Sequence, residues 1–192
     1  MVLVGFLGAV YAAMTAWQRS QLRDVERVMR TVAEALGGEV RPGRANMFTW
    51  VAPVLEVVRG KTCVQARVFQ VPRRGESTSV STRVSAPVFR VRPAGAINGW
   101  LSPGQHPERP LGGHEAFDAC FVVAAADHDA VGRLMSTAVR ESLVELPELW
   151  LTCDGTTIDG RLGAAGAAEL QRLVAAVLEI AAAGSDPSRT SR

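Results

Sequence analysis

The sequence predicts an α+β domain behind an N-terminal helix, and three observations carry that expectation. Residues 1–17 (MVLVGFLGAVYAAMTAW) hold no charge, and the chain then turns at once to QRSQLRDVERVMR. Residues 48–95 alternate apolar and polar, the period of strands with one buried and one wet face. Two later stretches stack apolar residues at helical spacing. The expected architecture is an N-terminal membrane-anchor helix, an antiparallel sheet of about five to seven strands, and two C-terminal helices packed on one face.

The uncharged start reads as a membrane anchor over residues 1–17. A spanning helix needs roughly 20 apolar residues, with a lower limit of about 17. Trp17 takes the place of an interfacial aromatic, with Arg19 just beyond. A cleaved signal peptide is a rival, with Val10-Tyr11-Ala12 as a weak cleavage site, although no basic segment precedes the apolar run. A buried N-terminal helix is the third reading. Arg19, Arg23, Arg27 and Arg30 all follow the run. By the positive-inside rule they place the N-terminus outside and the C-terminal domain in the cytoplasm. The expectation is a single-pass protein of the cell inner membrane.

A helix over 18–36 follows, with Leu22, Val25, Met29, Val32 and Leu36 on one side. It can run on from the anchor as one rod. Gly37-Gly38 ends it, since glycine accepts the left-handed conformation. The divisions are thus an anchor (1–17), a juxtamembrane helix (18–38), an α+β domain (39–183) and a disordered polar tail (184–192).

The strands come next. Val51 to Val58 is interrupted by Pro53, which demotes it to an edge or irregular strand. Residues 61–71 put Val64, Ala66 and Val68 on one face. Residues 77–85 oppose Val80 and Val84 to serines and Arg83. Residues 88–92 turn Phe89 and Val91 inward against Arg90 and Arg92. Residues 93–113, rich in Pro and Gly around Trp100 and Leu101, read as a long loop, functional or disordered. Residues 117–125 read as a strand. Asp127 or Asp129 then caps one helix reaching Leu146, with Val131, Leu134, Met135, Ala138 and Leu143 in its stripe. Residues 149–162 form a hairpin about Asp154-Gly155. The last helix, about 167–183, stacks Leu170, Leu173, Val174, Val177, Leu178 and Ala181.

Composition narrows function. The net charge is +2. Residues 37–113 nevertheless hold 11 basic and 4 acidic residues, and residues 114–192 hold 6 and 12. The halves either attract each other within one domain or present a basic face to anionic lipid. Aromatics are 6% and do not interleave with the basic residues, which argues against nucleic acid. Three widely spaced cysteines (Cys63, Cys120, Cys153) read as small buried hydrophobes in a reducing compartment.

From Glu115 to Leu146, the run Phe117-Asp118-Ala119-Cys120-Phe121-Val122-Val123, an acidic turn at Asp127 to Asp129 and a helix resemble a bacterial, membrane-anchored family of uncharacterised domains. Its mark is an F-[DE]-x-x-F-x-V strand followed by an amphipathic helix. The resemblance covers about a third of the chain. It implies location and domain type; the family lends no catalytic residue.

Leu151 to Gly160 (LTCDGTTIDG) is similar to half of the D-x-D-G-T loop of haloacid-dehalogenase phosphatases. Thr152 stands where that chemistry needs a carboxylate nucleophile, so Asp154-Gly155 is read as a turn. His106, His114 and His128 share no metal-ligand spacing and read as surface residues. The last two bracket a nine-residue strand, whose ends lie roughly 30 Å apart. Glu115 and Asp118 flank Phe117 as possible paired carboxylates, with a solvated face as the simpler reading. No catalytic residue, cofactor or metal is expected.

Arg73, Arg74, Arg83, Arg90 and Arg92 are the candidate anion- or lipid-facing residues. The leading expectation is a membrane-tethered, non-catalytic interaction or scaffold module, with the membrane and an unidentified protein as partners. One alternative is an enzyme whose site the 93–113 loop builds over the sheet, where His106 or Trp100 meets Glu115 or Asp118. The other is a soluble anion- or nucleic-acid-binding domain.

Overall fold

The structure, a computed structural model, describes residues 2–46, 49–71, 75–96, 106 and 108–185, with backbone alone for 2–9, 70, 71 and 75. Helix α1 (Val2–Leu36) opens the chain and leads into strands β1 (Glu39–Arg41), β2 (Arg44–Asn46), β3 (Thr49–Val51), β4 (Val54–Arg59), β5 (Thr62–Val71), β6 (Gly75–Arg83), β7 (Phe89–Pro93) and β8 (Glu108–Arg109). Then come α2 (Glu115–Cys120), β9 (Phe121–Ala125), α3 (His128–Leu134), α4 (Thr137–Val144), β10 (Trp150–Cys153), β11 (Thr157–Leu162) and α5 (Ala167–Gly184).

Nine strands form one antiparallel sheet in the order β1-β4-β5-β6-β11-β10-β7-β9-β8, and β2 and β3 form a separate ribbon. The α+β class with an N-terminal helix holds. The sheet is larger than the expected five to seven strands. Its two edge strands, β1 and β8, are three and two residues long. Runs that short carry no readable alternation; pairing with β4 and β9 creates them.

Two neighbouring rows explain the layers. Val40, Leu55, Ala66, Val80, Gly160, Leu151, Val91 and Val123 lie side by side across eight strands. Directly paired residues share a face, so this inner row meets the helices. One residue along, the row reads Glu39, Glu56, Gln65, Ser81, Asp159, Thr152, Arg90, Ala124 and Glu108 across all nine strands. Eight of those nine are polar, and no helix among the described residues covers that outer face.

Helix α5 lies on the inner face against β5, β6 and β11, and α1, α3 and α4 pack around it. Leu170, Leu173, Val174, Val177, Leu178 and Ala181 are all buried, as their spacing predicts. Each large aliphatic among them contributes about 1.5–3 kcal/mol of burial. Gly160 lets α5 come close, because a Cβ there would stand 3.0 Å from Leu173 Cδ1.

Helix α1 is continuous through the anchor segment and the following helix. Leu22, Val25, Met29 and Val32 bury against the domain, while Val10, Tyr11, Met14 and Trp17 are exposed. The reading of a single-pass inner-membrane protein with a cytoplasmic domain is overturned: among the described residues no helix is long and apolar enough to cross a membrane. Val2 to Trp17 gives 16 uncharged residues, about 24 Å at 1.5 Å per residue. The hydrocarbon core is about 30 Å, and Gln18 and Arg19 follow. The inside-outside orientation of Arg19, Arg23, Arg27 and Arg30 required such a span. Arg27 Nη1 lies 2.9 Å from Asp24 Oδ1, an ordinary helix-surface pair.

Three local expectations are corrected. Phe117 to Cys120 is helical, and the strand begins only at Phe121. Phe117 and Phe121 are both buried, with ring centroids 5.1 Å apart, so their i, i+4 spacing serves a helix turn. The single helix expected to reach Leu146 is two, α3 and α4. Asp127 caps the first, accepting from Ala130 N at 2.8 Å. Ser136 caps the second, accepting from Val139 N at 3.3 Å. Of the cysteines, Cys153 is buried as expected, but Cys63 is exposed.

Candidate functional site

The outer face holds two hollows that meet at its middle. The first, of about 740 Å³, lies over β6, β11, β10 and β7. Its polar lining includes Ser79, Ser81, Thr152, Thr157, Asp154 and Asp159. The second, of about 980 Å³, continues toward Phe69, Pro93, Pro147 and Trp150. Arg90, Thr152 and Asp159 line both. They are successive members of the polar row, since Thr152 pairs with Arg90 on one side and with Asp159 on the other.

Hydrogen bonds order this surface. Asp159 Oδ1 accepts from Ser79 Oγ at 2.8 Å, and its Oδ2 accepts from Arg161 Nε at 2.7 Å. Asp154 Oδ1 accepts from Thr156 N, Thr156 Oγ1 and Thr157 N at 2.8, 2.9 and 2.7 Å. Those bonds, led by the Thr156 amide, hold the Asp154 carboxyl below its ordinary range. Its oxygen is thus engaged in closing the β10–β11 turn, where Gly155 takes φ +99°. Thr152 stands mid-strand, which supports reading this segment as a hairpin.

Further along the row, Glu56 accepts from Gln65 Nε2 at 2.8 Å and from Arg41 Nη2 at 2.5 Å. The Gln65 bond is the largest cause that keeps the Glu56 carboxyl low. Cys63 Sγ lies 3.8 Å from Glu56 Oε1. Desolvation, reinforced by the Glu56 charge, pushes that thiol up. Burial does the same to Cys153.

The five candidate arginines separate. Arg73 and Arg74 lie outside the described residues. Arg83 is exposed at the end of β6, and Arg90 is half-buried in the middle of the outer face. Arg92 is buried. Its Nε donates to Glu108 Oε1 at 2.9 Å, its Nη2 also bonds Glu108, and its Nη1 donates to the carbonyls of Pro93 and Ala96 at 3.1 and 2.9 Å. It ties an edge strand to the sheet, where alternation alone placed it on a wet surface.

The histidines separate too. His106 lines the first hollow. His114 Nδ1 accepts from Phe117 N at 3.1 Å and caps α2. His128 is buried, with Nε2 3.1 Å from the carbonyl of Val123, so it is no surface residue. The nine-residue strand that was to separate the last two is a helical turn and a five-residue strand. Glu115 lines a separate hollow beside His114, and Asp118 accepts from Gly112 N at 3.1 Å. His106 therefore shares its hollow with Asp154 and Asp159, while Glu115 borders another. Trp100 lies outside the described residues. Among the described residues no three His, Cys, Asp or Glu side chains are grouped to hold a metal.

Sequence reading missed Ser79, Ser81, Thr152, Asp159 and Trp150 as one surface. The only signal was their alternation out of the core, which gives a face but no register.

No protein-family model matches the chain. No curated protein matches it either. Among solved structures it is similar to the mycobacterial trehalose monomycolate transport factor A, at a TM-score of 0.51 and 13% identity, over 84% of this chain and 94% of that one. At that identity the likeness is one of fold alone.

Proposed function

We propose that the protein is a non-catalytic interaction module whose outer sheet face is its binding surface, acting as a factor in transport. The observation that carries this reading is the division of the sheet. One face is covered by helices, and the other carries a row of polar residues, broken only at Ala124, with two hollows that share Arg90, Thr152 and Asp159. Concave, partly apolar surfaces with a few fixed polar groups are where ligands bind. Asp154 and Asp159 are both held by local donors, an arrangement that fixes a recognition surface. The fold likeness to a transport factor supports the role loosely.

The test is complementation of a strain lacking the gene. A chain carrying Ser81→Arg and Thr152→Trp should fold with an unchanged circular dichroism spectrum and fail to restore the deletion phenotype. Full restoration by that variant would remove the outer face as the working surface. Turnover of a substrate by the purified chain, abolished by Asp159→Asn, would overturn the non-catalytic part.

A further inference from the structure

We infer that the segment from Glu108 to Gly113 is a strap over the edge of β9, and that its release lets β9 pair with the β9 of a second copy. This contact lies at the edge of the sheet, beyond the binding role given to its outer face.

Strand β9 is built like an interior strand. Phe121, Val123 and Ala125 are buried, and all five residues pair with β7. The run FVVAA holds no charge and no proline. On its other side, among the described residues, Ala124 and Val123 alone have ladder partners, in Glu108 and Arg109. The strap does not extend that ladder. Pro110 has no N–H to give. Gly112 and Gly113 both take φ +82°, outside the strand region. Side chains hold the strap instead. Arg92 bonds Glu108 at one end. At the other, Arg140 Nη1 donates to Gly112 O at 2.6 Å, and Gly112 N donates to Asp118 Oδ1 at 3.1 Å.

An edge without charge invites another strand, and proteins guard such edges with charges, prolines or a covering segment. The opposite edge is guarded by its own residues. Strand β1 reads Glu-Val-Arg, and Arg41 bonds Glu56 on the neighbouring strand. Strand β9 has no such residue, so the strap is its guard.

The residues of β9 define what fits when the strap leaves. Directly paired residues share a face, and a two-fold antiparallel pairing centred on Val123 aligns all five residues. Phe121 then stands opposite the second copy's Ala125, and Val122 opposite its Ala124. On each face a larger residue meets a smaller one, twice by symmetry. Val123 meets its own counterpart. No charge within β9 is buried by this contact.

The experiment is sedimentation equilibrium of the full chain and of variants, each checked for folding by circular dichroism. Arg92→Ala unfastens the strap and should tighten self-association about tenfold or more. Glu108→Gln weakens the same pair by a milder change and should act in the same direction. Adding Val122→Lys to Arg92→Ala places a charge on the opened edge and should reverse the gain. Cysteine substitution reads the register. In the Arg92→Ala chain, Val123→Cys sets two thiols at the two-fold, where opposed Cβ atoms are close enough for a disulfide after slight adjustment. It should give a covalent dimer above the level set by the three native cysteines, and Ala124→Cys should not. The inference is overturned if Glu108→Gln and any folded Arg92→Ala chain associate no more tightly than the parent. It is also overturned if Val122→Lys leaves the association intact, which would move the contact to another surface such as the exposed side of α1. Equal linking by Ala124→Cys and Val123→Cys would overturn it as well. Should Arg92→Ala fail to fold, Glu108→Gln becomes the background for the lysine and cysteine variants, and the same outcomes decide.

Discussion

Arg92 on β7 reaches across β9 to pair with Glu108 on β8. Register makes the span explicit: Arg92 stands opposite Val122, and Glu108 stands opposite Ala124. The arginine side chain is 9% exposed and the glutamate 24%. A two-residue edge strand has too few ladder bonds to hold itself, so the ion pair and the two carbonyls on Arg92 Nη1 fasten it.

Arg92→Ala should therefore be costly. It removes the Arg92 bonds to half-buried Glu108 and takes one donor from each of the carbonyls of Pro93 and Ala96, of which Pro93 keeps its bond from Ala96 N. Breaking a buried pair from one side costs about 3–5 kcal/mol. Partial exposure of Glu108 puts the expected loss near the lower end. Urea unfolding measures it, and faster amide exchange confined to residues 108–109 and 121–125 should accompany it. A loss within about 0.5 kcal/mol, as for ordinary surface sites, would mean the pair does not fasten β8.

The two glycines after α1 should differ in how they fail. Gly37 takes φ +73° with open space around it. Gly37→Ala then costs about 1–2 kcal/mol for left-handed backbone alone. Gly38 donates to Ala33 O at 2.8 Å, and a Cβ there would lie 2.7 Å from Glu56 O and 2.9 Å from Val57 Cγ2. Gly38→Ala must push β4 away from α1, at about 1–3 kcal/mol or more. Unfolding midpoints separate the two, and only Gly38→Ala should perturb exchange along β4.

Acid should loosen the β10–β11 turn. Hydrogen bonds depress the Asp154 carboxyl from its ordinary 3.8. Its stabilisation is present above the unfolded-state value and is lost as pH falls through the lower folded value. Glu56, depressed from 4.5, acts with the same sign. Asp154→Asn removes one titrating group, so its stability should vary less steeply with pH below about 4. Identical slopes for the variant and the parent chain would show that the turn does not couple to protonation.

The first half of α1 should be dispensable for the fold. Val10, Tyr11 and Met14 are each 45–47% exposed. Removing residues 1–14 should move the melting temperature by about 2 °C or less, the effect of surface changes. Met29→Ala, at a fully buried position on the same helix, should cost about 2–5 kcal/mol. A comparable loss from the truncation would show that this half packs against the domain.

Much of the fold was legible because the relevant signals are local. Leu170 to Ala181 and Leu22 to Val32 keep the helical period, and both stripes are buried. Val64, Ala66 and Val68 keep the strand period and face inward. Phe117 and Phe121 misled because a four-residue spacing with a Phe-x-Val continuation fits a strand and a helix turn alike. Arg92 misled because alternation fixes a face, while burial depends on whether a partner such as Glu108 arrives from a distant segment.

The sequence by itself determined the class of the domain, its helices on one face, the turn at Asp154-Gly155 and the closure of α1 at Gly37-Gly38. These follow from period, capping and backbone freedom, which act within a few residues. Only the tertiary structure decided that nine strands join in one sheet, that Glu39 and Glu108 end a single polar row, and that Arg90, Thr152 and Asp159 meet between two hollows. Strand order and register are set by pairing between distant segments, as where Ser81 stands opposite Asp159. Such pairing leaves no mark in the composition of either strand.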